Sequence, residues 1–262
     1  MRTEVVSEPG APDRPNEDFA GVGLPASGQG GCVVVLDGVT PPKDETGCLH
    51  SVPWFTARLG GALTELTVSA RDLTLREILE RAIGRTADAH ADTCELSHPR
   101  TPQATVVLTR WSEDTVEYLV LSDSALLLRS PDGKITPVLD DRLDRVPRTS
   151  LATDAIADAT VRNKEGGFFT AAADPSVAAR AVTGSVPRHR VAALAALTDG
   201  ATRWTEKFRE GDWTALFDVV RKEGARALVD RVRELEAADR EERAFLRRSK
   251  THDDATVVYV EL

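Results

Sequence analysis

Two aspartate–glycine pairs, Asp37-Gly38 and Asp199-Gly200, each close a run of apolar residues. The first run is Val33-Val34-Val35-Leu36, mostly β-branched, which is the pattern of a buried strand. The second runs from Val191 to Leu197 and reaches Asp199 through Thr198. A carboxylate at the mouth of a strand sits on a rigid element at the rim of the core, where a cation or a reacting group can be held. The glycine beside it allows either a positive-φ turn or the close approach of another atom to the backbone. Asp18, in Asn16-Glu17-Asp18, and Asp253-Asp254, just before Thr256-Val257-Val258-Tyr259-Val260, repeat the arrangement. Oxygen-only ligands of this kind suit hard divalent cations, Mg²⁺ or Mn²⁺. Two such ions, about 3.5–4 Å apart, can activate water and hold a phosphoryl oxygen. Taken by spacing alone, the same dipeptides also fit ordinary turns and a strand-entry loop.

These carboxylates need strands and helices to position them. The first thirty residues are rich in Pro and Gly, and the strand at 32–37 follows. A helical pattern starts near Pro53 and runs through Leu59, Leu63 and Leu66. A second helix opens on the capping box Thr74-Leu75-Arg76-Glu77 and carries the stripe Leu75, Ile78, Leu79, Ala82 and Ile83; it is expected to continue to about Leu96. Strand character returns at Ala104–Leu108, Thr115–Leu121 and Ser124–Arg129, closed by the turn Pro131-Asp132-Gly133. The stretch 140–167 reads as loop with short helix. Asp174-Pro175 reads as an N-cap with proline at the first helical position. The strand at 191–198 follows, then one or two helices from Trp213 to about Arg247, interrupted at Gly224. The last strand is Thr256–Val260. Strands in runs separated by helical pairs favour an α+β fold with largely antiparallel sheets over a doubly wound parallel one. Residues 1–262 read as a single domain.

Composition narrows the function classes. With 33 Lys and Arg against 42 Asp and Glu, the net charge is −9, which argues against nucleic acid or an anionic membrane as the main partner. An anionic substrate stays admissible if a metal neutralises the site locally. No stretch approaches the roughly 18–20 apolar residues that span a bilayer, and the first residues lack a signal-peptide pattern, so the expected location is cytoplasmic. The three cysteines, Cys32, Cys48 and Cys94, form no C-x-x-C pair, so neither a disulfide framework nor a zinc knuckle is expected.

Five short motifs occur in order: Asn16-Glu17-Asp18, Val35-Leu36-Asp37-Gly38, Leu121-Ser122-Asp123-Ser124, Leu197-Thr198-Asp199-Gly200 and Asp253-Asp254-Ala255-Thr256-Val257-Val258. Together they resemble the metal-dependent protein phosphatases of the PPM (PP2C-like) family, bacterial members in particular, over nearly the whole chain. The resemblance implies a four-layer α-β-β-α sandwich, two antiparallel sheets flanked by helix pairs, with two Mn²⁺ or Mg²⁺ ions at one end. It implies Asp18, Asp37, Gly38 through its carbonyl, Asp199 and Asp253 as the metal-binding residues, and Asp123 as holder of a third, weaker ion. Asp37 would bridge the two ions and Glu17 would orient a metal-bound water. The implied reaction is hydrolysis of a phosphoserine or phosphothreonine ester, or of a small phosphoester, by hydroxide bridging the metals, without a covalent enzyme intermediate. The alternative is a pseudophosphatase of the same fold, a phospho-protein-binding or regulatory module without turnover. Oligomeric state and physiological substrate are not specified by any motif.

The departures from the family pattern are specific. Val39-Thr40-Pro41-Pro42 stands where members carry a His and extra glycines, so leaving-group protonation falls to a metal-bound water, His50 or His252. Position 13 is Asp, so Arg14, one residue on, becomes the phosphate-binding arginine. Ser122 and Ala125 replace a Gly and an Arg, and Asp254 replaces an Asn. A rival signal, Cys94-x₅-Arg100, matches the spacing of a cysteine phosphatase loop, but that chemistry needs successive backbone N–H donors, and Pro99 removes one. The basic run Arg243–Lys250 reads as the exposed end of a helix. Trp204 and Trp213 read as core residues or as walls of a flap.

Overall fold

The computed structural model describes residues 1–26, 28–41, 46–242 and 251–262; the basic run Arg243–Lys250 lies outside them. Among the described residues, ten strands form two five-stranded antiparallel sheets. One sheet contains β2 (Phe19–Gly23), β3 (Gly31–Leu36), β4 (Val106–Trp111), β5 (Thr115–Leu121) and β8 (Val182–Pro187), in that order. The other contains β1 (Thr3–Glu8), β10 (Ala255–Glu261), β9 (Ala193–Leu197), β6 (Ala125–Arg129) and β7 (Ile135–Val138).

Helices α1 (Val52–Ser69) and α2 (Leu75–Asp88) cover the first sheet. Helices α5 (Asp199–Glu206), α6 (Trp213–Glu223) and α7 (Ala225–Glu242) cover the second. This is the expected α+β sandwich. It also explains why β3 is apolar without alternation: Val33 and Val35 face the opposite sheet, while Val34 and Leu36 face α1 and α2. A strand buried on both faces has no polar side to show. Between the sheets, the cross-strand row Val35–Val107–Val120 faces the region of the row Leu126–Ala196–Val258.

Several boundaries differ from the sequence expectation. α2 ends at Asp88 and the chain turns through residues 89–100 instead of staying helical to Leu96. The capping box at its start is present, with Thr74 and Glu77 bonding each other's backbone N–H. The segment after Asp174 is a 3₁₀ helix, Pro175–Arg180. Gly224, at φ 102°, separates α6 from α7, a conformation glycine adopts without steric cost. Strands β1, β2, β7 and β8 escaped the sequence reading. They are short or half-exposed strands that lack the long apolar run of β3. The stretch 140–167 contains two short helices, α3 (Arg142–Arg145) and α4 (Asp154–Thr160). Trp204 is buried in the core under α5 to α7, as the packing alternative had it.

Antiparallel pairing decides where the carboxylates go. Phe19 pairs with Leu36, so the start of β2, next to Asp18, lies beside the end of β3, next to Asp37. Val257 and Ala125 both pair with Leu197, so the starts of β10 and β6 flank the end of β9. Asp123, Asp199 and Asp253 therefore stand at one end of one sheet, Asp18 and Asp37 at an end of the other.

Candidate metal centre

The two sheet ends meet. The backbone N–H of Asp199 donates to Oδ2 of Asp37 at 3.3 Å, and a cavity of about 270 Å³ is lined by Asp37, Gly38, Asp123, Asp199 and Asp253. Asp18 joins from the other side. Its Oδ2 accepts from the hydroxyls of Thr198, at 2.9 Å, and Thr256, at 2.7 Å, residues that adjoin the carboxylates of the opposite sheet. Its Oδ1 is buried and has no hydrogen-bond partner. A buried carboxylate oxygen without a donor is costly, and it is the kind of atom a cation satisfies.

Electrostatics point the same way. Burial pushes Asp37 well above the usual carboxylate range, and Asp199, Asp18, Asp123 and Asp253 push it further. Burial likewise raises Asp18 to about 8, with Asp254 and Asp199 adding to the effect against the two threonine hydroxyls. Asp199 is raised to about 7 by burial and by Asp253 and Asp123, with Arg203 opposing. Asp123 is raised by burial, with Glu206 and Asp144 contributing. Like carboxylates gathered in a low-dielectric site cannot all ionise unless a cation neutralises them. The residues present therefore fit a hard divalent cation.

Neither Asp-Gly pair is a positive-φ turn; both glycines serve close approach. A Cβ on Gly38 would stand 2.4 Å from the Glu17 carbonyl oxygen, and one on Gly200 2.0 Å from that of Asp254. Asp199 opens helix α5 directly. Asp37 is held through its backbone, its N–H donating to Thr105 Oγ1 and its carbonyl accepting from the Thr105 N–H.

Asp254 faces the backbone of the N-terminal loop. Its Oδ1 accepts from the Gly10 N–H at 2.7 Å and its Oδ2 from the Glu17 N–H at 2.6 Å. Both oxygens act as acceptors, which an asparagine side chain cannot reproduce. Glu17 also accepts from the Thr40 hydroxyl. Arg14, Glu17, Thr40, His252, Asp253 and Asp254 line a second cavity of about 410 Å³, and Thr40 and Asp253 border both.

Arg203 is the residue that sequence reading missed. It is almost fully buried and bonds Asp253 Oδ2 at 2.7 Å and the fully buried Glu236. The only signal was its position four residues after Asp199, one turn along α5. Glu236 is shared with Arg233 and with His252 Nδ1, at 2.7 and 3.0 Å. His50 is placed elsewhere, among cysteines and against Trp54. The Cys94-x₅-Arg100 stretch does not form an anion cradle, because Arg100 turns to Asp158, at 2.8 Å. Ser122 keeps φ at +69°, and its N–H donates to the buried Asp140 at 2.8 Å.

The family model for Protein phosphatase 2C matches residues 11–238. No curated protein sequence matches the chain. Among solved structures, the serine/threonine phosphatase Stp1 of Staphylococcus aureus aligns with TM-score 0.61 at 12% identity, covering 100% of this chain and 95% of that one. The serine/threonine phosphatase PstP/Ppp of Mycobacterium tuberculosis aligns at 0.60 and 17%, covering 100% and 98%. A structure of the PstP catalytic domain in complex with two manganese ions aligns at 0.58 and 17%, covering 99% and 97%. At such identities the structural likeness speaks to the fold.

Proposed function

The chain belongs to the protein phosphatase 2C family, and from that premise we propose that it is a metal-dependent phosphatase acting on phosphoserine or phosphothreonine in proteins, or on small phosphoesters. The observation that carries this reading is Asp18: a carboxylate wedged between two threonines of the opposite sheet, with one oxygen buried and unanswered. Asp18, Asp37, the Gly38 carbonyl, Asp199 and Asp253 would hold two Mn²⁺ or Mg²⁺ ions, and Asp123 a third. Bound, the ions supply Lewis-acid activation of a water and neutralise phosphoryl charge.

The chain's own groups do the rest. Arg14 borders the cavity beside Glu17 and Asp253, where a guanidinium can grip two phosphate oxygens at once. Glu17, fixed by Asp254 through its N–H and by Thr40 through its carboxylate, orients the attacking water. As the water oxygen bonds to phosphorus, the ester P–O bond breaks and the departing serine or threonine oxygen takes a proton. Of the two histidines considered for that proton, His252 lines this cavity, and Glu236 orients its ring. A second reading, a phospho-protein-binding module without turnover, draws on Arg203, whose guanidinium already occupies Asp253.

The deciding experiment is hydrolysis of p-nitrophenyl phosphate and of a phosphothreonine peptide with Mn²⁺, with and without EDTA, beside Asp199→Ala. Mn²⁺-dependent turnover that EDTA and Asp199→Ala abolish supports the phosphatase. Turnover no higher than in Asp199→Ala, with phosphopeptide binding intact, supports the binding module.

A further inference from the structure

Away from the carboxylates, four side chains from two distant segments converge. Cys48 and His50 lie in the stretch that leads into α1, and His90 and Cys94 in the turn that follows α2. One ligand atom from each lies within 4.8 Å of the other three. Cys48 Sγ stands 3.4 Å from His90 Nδ1 and 3.8 Å from His50 Nδ1, and Cys94 Sγ stands 3.4 Å from His50 Nδ1. A tetrahedral zinc site with bonds of about 2.3 Å to sulfur and 2.0–2.1 Å to nitrogen has ligand-to-ligand edges of about 3.3–3.8 Å. Three of the six edges already match. The edge between the sulfurs is 3.0 Å; it must widen around an ion, and it is far longer than a disulfide bond of about 2.05 Å.

We propose that Cys48, His50, His90 and Cys94 bind one structural zinc ion, a Cys₂His₂ site that clips the segment before α1 to the turn after α2. The spacing is C-x-H and H-x₃-C, which a search for C-x-x-C pairs passes over. His90 and Cys94 are one turn apart, with the Cys94 N–H bonded to the His90 carbonyl at 3.0 Å, so their side chains share a face. Two sulfurs and two imidazoles select zinc, whereas the all-oxygen set around Asp37 selects Mg²⁺ or Mn²⁺, so donor softness sorts the two metals between the sites.

The surroundings are those of a ligand shell. The N–H groups of His50 and Leu49 each point at a sulfur, Cys48 and Cys94 respectively, at 3.4 Å. Such donors favour the thiolate that zinc requires. The Trp54 ring packs on His50, 3.9 Å between centroids, and lies 5.2 Å from His90. The Glu95 N–H closes onto the Gly47 carbonyl at 2.7 Å. His90 is buried, and the nitrogen it turns into the cluster is Nδ1, toward Cys48. Binding converts two thiols to thiolates, and two protons leave to solvent for each ion taken up.

The site braces the rim of the metal centre. Cys48 and His50 lie in the sequence between Asp37-Gly38 and α1, and the segment after Cys94 runs to Gln103 and Thr105. There the Val39 N–H bonds Gln103 and the Thr105 N–H bonds Asp37, both at 2.9 Å. A zinc clip thus ties together the two stretches that flank the carboxylate end of β3.

The test is metal analysis of the intact protein. Native mass spectrometry and elemental analysis after gel filtration should find one zinc per chain, and it should persist in Asp37→Asn/Asp199→Asn, in which the carboxylate site is disabled. Cys48→Ser/Cys94→Ser should lose that zinc and melt at lower temperature. Cobalt substitution of the wild-type protein should give a thiolate-to-cobalt charge-transfer band, which an oxygen site cannot produce. Should the cysteine variant fail to fold, the wild-type spectra still decide. A zinc-supplied wild-type protein with no ion and no such band overturns the proposal. So does an intact mass lighter by two hydrogens from a Cys48–Cys94 disulfide.

Discussion

The N–H of Asp199 points at the carboxylate of Asp37 across 3.3 Å, from 162 residues further along the chain. This contact joins the ends of the two sheets and sets the charge of Asp199 against the buried Asp37 carboxylate, a repulsion that a bound cation would relieve. Asp37→Asn and Asp199→Asn should therefore act in opposite directions on two readouts. Mn²⁺-dependent hydrolysis should fall by at least about 100-fold, while the melting temperature in EDTA rises and the Mn²⁺-induced shift vanishes. A calorimetric scan of each variant with and without Mn²⁺ checks this, and an unchanged Mn²⁺ shift would count against these ligands.

The same crowding sets a pH dependence. Asp18 at about 8 and Asp199 at about 7 stand far above the ordinary 3.8. Between those values the native state holds protons that the unfolded chain has lost, so raising the pH favours unfolding. The stability contributed by these groups is full near pH 4 and lost by about pH 8. Denaturant unfolding in EDTA at pH 5 and pH 8 should show the metal-free protein weaker at pH 8, and Mn²⁺ should reverse the order. A metal-free protein that is more stable at pH 8 contradicts the assignment.

Ser122 occupies a left-handed conformation at φ +69°, one that glycine adopts without steric cost. A side chain there costs roughly 1 kcal/mol. Ser122→Gly should raise stability by about that amount. Asp140→Ala removes the acceptor of the Ser122 N–H and should cost about 1–3 kcal/mol. Urea titration of both variants measures the two signs.

Asp254 clamps the loop that carries Arg14 by bonding the N–H groups of Gly10 and Glu17. Asp254→Asn keeps one acceptor and Asp254→Ala keeps none. KM for p-nitrophenyl phosphate should rise in that order, with a smaller change in kcat, because the clamp positions the phosphate-binding loop. Steady-state kinetics separates this from loss of a ligand, which would lower kcat first.

Arg203 links Asp253 to the fully buried Glu236. Arg203→Met leaves both carboxylates without that partner and should cost about 3–5 kcal/mol. Arg203→Met/Glu236→Leu should recover much of the loss. A double-mutant cycle gives the coupling, and additive losses would show that the pair is not coupled.

Local pattern was enough for much of the protein. The apolar runs before Asp37 and Asp199, the capping box at Thr74, the break at Gly224 and the grouping of helices in pairs are consequences of nearest-neighbour chemistry, and each is visible in the string of residues. The motif order carried the family and, with it, the expected ligands Asp18, Asp37, Asp199 and Asp253. Edge strands such as β1 and β8 were invisible because half-exposed strands need no apolar run; pairing defines them.

What tertiary structure decided is which groups meet. Asp18 touches Thr198 and Thr256 only because the two sheets stack with their carboxylate ends in register, a relationship between strands some 180 to 240 positions apart. Arg203 reaches Asp253 only because α5 lies against β10, the strand that starts at the site. Cys48, His50, His90 and Cys94 share no local motif, and 42 residues separate Cys48 from His90. The α1–α2 hairpin brings their segments together. Residue types are written in sequence, but a site is a set of distances, and antiparallel register and layer packing set those distances.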